Sequence, residues 1–141
     1  MWPRQNGGRP GGSATISNSD FIGNLAAGDS YNDLPGLGGG VYGGGTISNS
    51  ILRNNKSTSG DPNVSGRFTF AYSDLEGSGG SAAWNAALGT DGGGNIDADP
   101  HFVAPGHWNG TTWLAGGANY QLAAGSPCID AGANGLDMGP Y

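Results

Sequence analysis

Residues 15–21 read TISNSDF, residues 46–52 read TISNSIL, and residues 69–75 read TFAYSDL. In each copy apolar and small polar residues alternate, which is typical of a β-strand with one buried face. The copies begin about 31 and 23 residues apart, and a loop over residues 28–35 lengthens the first interval. Without that loop both intervals are about 23 residues, which lies within the range of a solenoid repeat. These stretches therefore predict a β-solenoid of stacked parallel strands.

Stacking of the copies would place equivalent residues over one another. Ile16, Ile47 and Phe70 would then form an apolar ladder inside the solenoid. Asn24 and Asn55, which follow the first two copies, would form an amide ladder at a turn, with each side chain bonding to the next.

Composition supports an all-β chain with many tight turns. Of the 141 residues, 30 are Gly, 11% are charged and 35% are hydrophobic. Helix interiors do not tolerate this much Gly, and no stretch reaches the ~20 apolar residues of a membrane span. A disordered chain is the alternative, but four Trp, five Tyr and four Phe together with a repeated seven-residue pattern argue against it.

The charge of the chain argues against nucleic acids and anionic membranes as partners. Eleven acidic residues against five scattered basic ones leave a net charge of -6. Nucleic-acid binding and attraction to an anionic membrane both need a basic face, so we predict neither. The single cysteine, Cys128, forms no disulfide within the chain. The first twelve residues lack the apolar core of a signal peptide, so we expect either a removed leader or a segment of a longer protein.

Three stretches in the second half carry a resemblance to a known family. They are GNIDADPHFV at residues 94–103, NYQLAAGSPCIDAG at 119–132 and LDMGPY at 136–141. Together they resemble the C-terminal signature of bacterial right-handed parallel β-helix proteins of the choice-of-anchor Q group. The ISNSIL and GGGVY segments are also similar to rungs of polymorphic outer-membrane autotransporters. The resemblance covers residues 13–141, although Pro140 stands where that family has Ala.

The resemblance implies a secreted or cell-surface β-helix with no single activity. We therefore predict an all-β fold, a right-handed parallel β-helix of about three coils with an irregular C-terminal cap. The handedness follows from the resemblance alone. Residues 1–141 would form one domain, with repeat coils at 13–76, a Gly-rich loop at 77–94, and the C-terminal coil and cap at 95–141. The acids of the signature would serve turns, and no catalytic residue is predicted.

One candidate metal site lies at the start of the C-terminal part. Asp91, Asn95, Asp97 and Asp99 stand at alternate positions, which share a face of an extended segment. Their oxygens could bind calcium, a hard cation that prefers such ligands. The alternative is that they are solvated acids of turns. No other cofactor is predicted.

The candidate glycan-binding residues are aromatic. Trp108, Trp113 and Tyr120 could stack on sugar rings, with Asn109 as a hydrogen-bonding partner of the hydroxyl groups. In the alternative interpretation, this loop folds over the coils and the two Trp side chains cap their apolar end.

Enzymes with the predicted fold are mostly polysaccharide lyases and hydrolases. Arg53, Lys56 and Arg67 lie near equivalent turns and could form one weak basic cluster. A hydrolase needs two carboxylates facing a groove, and the equivalent acids Asp20 and Asp74 are separated by a copy without one. Whether the chain is an enzyme therefore stays open, with the balance against it.

The leading functional prediction is an extracellular structural or self-assembling module, located at a bacterial cell surface. The ends of so short a solenoid expose unpaired backbone groups and apolar residues, which need a cap or another chain. Residues 1–12 look like a poor cap. We therefore expect self-association, as in a filament, or packing against a neighbouring β-helix chain. The alternative is a glycan-binding module or a fragment of a polysaccharide lyase or hydrolase, with a polysaccharide as partner.

Overall fold

The computed structural model describes residues 13–140, and the predicted poor cap at residues 1–12 lies outside them. The described chain is all-β, with no α-helix and three short 3-10 turns. Its strands are β1 Ala14–Ser17, β2 Asp20–Ile22, β3 Leu25–Ala26, β4 Val41–Ser48, β5 Ile51–Arg53, β6 Lys56–Ser57, β7 Val64–Ala71, β8 Asp74–Leu75, β9 Thr90–Asp91, β10 Phe102–Ala104, β11 His107–Asn109, β12 Thr112–Leu114 and β13 Asn119–Leu122. The 3-10 turns are Ser81–Ala83, Ala86–Leu88 and Ala133–Gly135.

The copies of the repeat form three parallel sheets. These have the strand orders β1-β4-β7-β9, β2-β5-β8 and β3-β6. We call the segments that stack in these sheets layers. Layer 1 (14–26) and layer 2 (41–57) supply a strand to all three sheets, layer 3 (64–75) to the first two, and the short layer 4 (90–96) to the first. The predicted apolar ladder is confirmed, because Ile16 pairs with Ile47 and Ile47 with Phe70. The amide ladder is confirmed as well, with Asn24 donating to Asn55.

The corner between the first two sheets explains why the Asn-Ser pair recurs in the first two copies of the repeat. Its first residue adopts a left-handed conformation, with φ near 50° at Asn18, Asn49 and Tyr72. Asn tolerates this conformation better than most residues. The serine that follows bonds to the neighbouring layer, since the Ser50 backbone N–H donates to the Ser73 hydroxyl at 3.2 Å. The Asn-Ser pair therefore turns the chain from one sheet to the next and links adjacent layers, so we assign it no role in a binding site.

Layer 4 lies partly inside the segment predicted as a Gly-rich loop at 77–94. Strand β9 extends the first sheet, with Thr90 opposite Thr69, and Ile96 forms a parallel bridge to Asp74. The connection between layers 3 and 4 is therefore limited to residues 76–89. The repeat pattern misses layer 4 because an acid, Asp91, stands opposite Phe70 where the other layers have an apolar residue.

Residues 77–89 cover the end of the stack at layer 4. The Ser81 backbone N–H donates to the Asn95 carbonyl, and the Asn95 N–H donates to the Ser81 hydroxyl, both at 2.9 Å. Trp84 packs on Phe70, with ring centroids 5.9 Å apart, and Leu88 is buried in the same cluster. The structure thus places Trp84, rather than Trp108 and Trp113 as in the cap interpretation, against this apolar end.

The C-terminal part lies against the side of the stack instead of across its end. Strands β10 and β13 pair antiparallel around a second hairpin, β11 and β12. Phe102, Cys128 and Met138 form a buried cluster with Ile51 of β5. The next residue, Leu52, belongs to the separate cluster inside the layers, as the alternation of a strand requires. Strands β5 and β8 are therefore buried on both faces of the sheet, whereas β2 is partly buried.

No helix in the described part of the chain is long and apolar enough to cross a membrane.

Candidate functional site

A buried polar cluster lies where the C-terminal part covers the β2-β5-β8 sheet. Asp74 has no exposed surface. The Arg53 guanidinium donates to one of its oxygens at 2.8 Å, and the Ala98 backbone N–H donates to the same oxygen at 3.1 Å. The Cys128 thiol donates to the other oxygen at 3.5 Å. The carboxylate therefore joins layers 2 and 3 to the C-terminal part.

Burial dominates the titration of this cluster. It raises the pKa of Asp74 to about 6, although the positive charge of Arg53 opposes the shift. Burial and the neighbouring Asp74 carboxylate also raise the pKa of the Cys128 thiol well above its usual range. Because the thiolate is the nucleophilic form, Cys128 stays an unreactive thiol near neutral pH. The geometry suits a structural ion pair and supplies no nucleophile.

Asp97 is the second partner of Arg53, at 3.1 Å. Its other oxygen accepts hydrogen bonds from the backbone N–H groups of Gly77 and Gly79. Burial raises the pKa of Asp97, but the bonds from Gly79 and Arg53 outweigh this effect and hold the pKa below its ordinary value. Asp97 is therefore a charged anchor for the start of the covering segment at 77–89.

The structure brings together only part of the predicted calcium set. Asp91 accepts a bond from the Asn95 amide at 2.8 Å and one from the Ser81 hydroxyl at 2.7 Å. Asp97 bonds to Arg53 instead, and Asp99 accepts from the backbone of His101. Among the described residues, no three His, Cys, Asp or Glu side chains lie close enough to hold a metal ion. Calcium binding stays a prediction.

Trp108 and Trp113 lie opposite each other on the β11-β12 hairpin, with ring centroids 5.4 Å apart. The Trp108 indole N–H donates to the Asn54 carbonyl at 2.6 Å. The Lys56 ammonium lies 4.4 Å from the centre of the Trp108 ring and donates to the Gly110 carbonyl at 2.8 Å. The hairpin is thus fastened to a corner of layer 2.

The remaining predicted glycan residues belong to the same hairpin region. The Trp113 indole N–H donates to the Tyr120 hydroxyl at 3.0 Å, and the Trp113 ring lies against Gly23 so closely that a Cβ there would collide with it. Asn109 is exposed at the hairpin turn. Both indole N–H groups therefore donate to partners within the chain. The contacts that hold the hairpin in place give both Trp side chains a structural role. Sugar binding by these four residues stays a prediction.

The predicted basic cluster does not form. Arg53 is bound to Asp74 and Asp97, and Lys56 contacts Trp108. Arg67 lies on β7, in a different sheet from either of them. These three cations therefore cannot act together on one substrate.

Sequence reasoning missed a groove over the first sheet. It has a volume of about 630 Å³, and its lining includes Tyr42, Arg67, Leu37 and the glycines at 43–45. The GGGVY segment was noted only for its similarity to a rung, although an aromatic residue followed by three glycines within one strand is itself a signal of a surface without side chains. The glycines leave a floor without side chains beside Tyr42.

No protein-family model, curated protein or solved structure matches this chain.

Proposed function

We propose that the chain is a right-handed parallel β-helix that serves as an extracellular structural module and associates through its first layer. The in-register columns of equivalent residues support the β-helix. The right hand is supported by the strong preference of parallel crossover connections and by the resemblance of the C-terminal stretches. The location is supported by that resemblance and by the low charge of the chain.

The observation that carries this proposal is the difference between the two ends of the stack. Trp84 and Leu88 of residues 77–89 pack against the interior cluster at one end of the stack. At the other end, β1, β2 and β3 of layer 1 are edge strands among the described residues, as β9, β8 and β6 are on the opposite side of the same sheets. Ile16 and Phe21 of layer 1 are only partly buried, although Ile47 and Leu52, their partners in layer 2, have no exposed surface. An open edge of this kind is a template for pairing with another chain.

A second copy of the chain is the partner that we propose. Layer 1 presents three strand edges in a fixed arrangement, and another layer 1 offers three edges with the same spacing. An endless filament would need an open interior at both ends, but Trp84 and Leu88 close the interior at one of them. The association is therefore a closed pair with the two first layers in contact, which is the geometry of a two-fold dimer.

Light scattering over a range of concentrations tests this proposal. We expect a mass of twice 14.0 kDa for the wild type and the monomer mass for Leu25→Lys. Leu25 lies on edge strand β3 and is 40% exposed, so a lysine there disfavours edge pairing without disturbing the core. Leu136→Lys is the matched control, because Leu136 is 51% exposed on the C-terminal part. This variant should remain dimeric.

A monomer at all concentrations, with the amides of β1 and β2 protected from hydrogen exchange, would sink the proposal. A dimer that survives Leu25→Lys but is lost in Leu136→Lys would place the contact on the C-terminal part and contradict it equally.

A further inference from the structure

The groove over the first sheet is defined by the pairing of β4 with β7. Tyr42 is opposite Ser65, and Gly44 is opposite Arg67. Tyr42 and Arg67 are thus diagonal neighbours on adjacent parallel strands, offset by two residues along the register. Gly44 and Ser65 stand between them with little or no side chain. All four residues line the groove.

Glycine is required at the floor of this groove because Gly45 and Gly66 adopt positive φ angles of 138° and 121°, which direct a Cβ at the neighbouring backbone. A Cβ at Gly45 would collide with the carbonyl oxygen of Ala14, and one at Gly66 would collide with the carbonyl oxygen of Gly43. These positions therefore remain bare, and peptide groups form part of the floor. The volume of about 630 Å³ falls within the range of small-ligand sites.

The two long side chains at the groove have no comparable role elsewhere in the fold. The Tyr42 side chain is 72% exposed, and its ring does not stack on any aromatic ring among the described residues. Of the three basic side chains in the described part of the chain, Arg53 and Lys56 are engaged, whereas Arg67 forms no ion pair with a described residue. In a chain with a net charge of -6, Arg67 is a cation that remains available.

We propose that this groove binds an acidic saccharide, a ligand additional to the second copy proposed above. The Arg67 guanidinium would pair with a carboxylate or sulfate group, both of which match its planar fork. The Tyr42 ring would stack on the apolar face of the sugar. Ser65 and the bare peptide groups would bind hydroxyls. A single guanidinium pairs with one anionic group, so the groove suits one acidic sugar unit, whereas binding along a nucleic acid neutralises several phosphates.

Isothermal titration calorimetry with three sets of oligosaccharides tests this inference. Galacturonic acid oligomers supply carboxylates, carrageenan oligomers supply sulfates, and cellulose oligomers are neutral. We expect saturable binding to one or both acidic sets and little to the neutral set. The comparison of the first two identifies which anionic group the groove prefers.

Two pairs of variants locate the binding in the groove. Arg67→Gln should weaken binding about tenfold or more, because it removes a charged hydrogen-bond donor. Gln121→Glu changes the net charge by the same amount at an exposed site outside the groove, and it should bind like the wild type. Tyr42→Ala should weaken binding about threefold to tenfold, whereas Tyr31→Ala, at a side chain that is 95% exposed, should not.

The inference is overturned if neither acidic set binds, or if the neutral set binds as tightly. Equal affinity of Arg67→Gln and Gln121→Glu would also overturn it, because any binding would then come from elsewhere. The melting temperatures of all four variants should match that of the wild type, because none of the four substituted side chains is buried.

Discussion

Asp74 lies on the outer side of the β2-β5-β8 sheet and is nevertheless fully buried. It forms one column with Asp20 and Ile51 of the neighbouring layers, as the equivalent repeat positions predicted. The C-terminal part supplies the cover, through the Cys128 thiol and the Ala98 backbone. A buried carboxylate is tolerated there because Arg53 and these donors satisfy it.

At this residue, we expect Asp74→Asn to remove a pH dependence of stability. Burial raises the folded-state pKa from 3.8 to about 6, so between about pH 4 and 6 the folded chain binds more protons than the unfolded chain. The free energy of unfolding of the wild type should therefore fall as the pH rises through this window. The pKa difference corresponds to at most about 3 kcal/mol. Urea unfolding at a series of pH values measures it.

Asp97→Asn is the matched control, because Asp97 also contacts Arg53 but its pKa is lowered. Its contribution is present above the ordinary pKa of an aspartate and is lost only as the pH falls below about 4. The control should therefore keep the fall between pH 4 and 6. The same pH profile in the wild type and in Asp74→Asn would contradict the assignment to Asp74.

At the scale of elements, the segment at 77–89 acts as the end cover of the stack. It contains two short 3-10 turns that hold Leu88 and Trp84 against the interior cluster. The Trp84 indole N–H donates to the Gly89 carbonyl at 2.9 Å, which closes the segment on itself. This covering segment is local in sequence, because it connects layers 3 and 4 and packs on the same end of the stack.

We expect Trp84→Ala to lower the free energy of unfolding by about 3 kcal/mol and to speed amide exchange in β9. The substitution removes a ring that packs on Phe70 and opens the end of the stack to water. Trp108→Ala is the matched control on a different element, and it should loosen only β11 and β12. Hydrogen exchange resolved by residue distinguishes them, and an identical pattern in both variants would show that Trp84 is no end cover.

At the scale of the whole molecule, the C-terminal part and the stacked layers are joined by a common buried cluster. The Gly139 backbone N–H donates to the Asn49 carbonyl at 2.7 Å, and Met138 is fully buried in the cluster that contains Ile51. The C-terminal part thus covers a face of layer 2 that would otherwise expose apolar surface. Separate unfolding of the two parts would leave both clusters open to water.

We therefore expect Met138→Ala to destabilise the whole molecule by about 3 kcal/mol in a single transition. Urea unfolding followed by circular dichroism and by Trp fluorescence should give coincident curves. Leu136→Ala, at a side chain that is 51% exposed, should change stability by less than about 0.5 kcal/mol. A wild type that unfolds in two steps, with fluorescence changing first, would contradict the prediction that the two parts unfold together.

The sequence by itself determined which copies stack, their parallel register and the ladders between them, although each copy, predicted as one strand, divides into two strands at its central corner. Ile16, Ile47 and Phe70 stand at equivalent positions, and stacked layers bond mainly to their nearest neighbours, so similarity along the chain specifies pairing in space.

Only the tertiary structure decided which surfaces the irregular parts cover. The Cys128 thiol reaches Asp74 across 54 positions, and the Ala133 backbone N–H donates to Asn49 across 84. No local pattern encodes such contacts, because they depend on where two distant segments meet after the layers have stacked. The same reason explains why Trp84 covers the end while Trp108 and Trp113 fasten a hairpin, and why the groove beside Tyr42 and Arg67 went unpredicted.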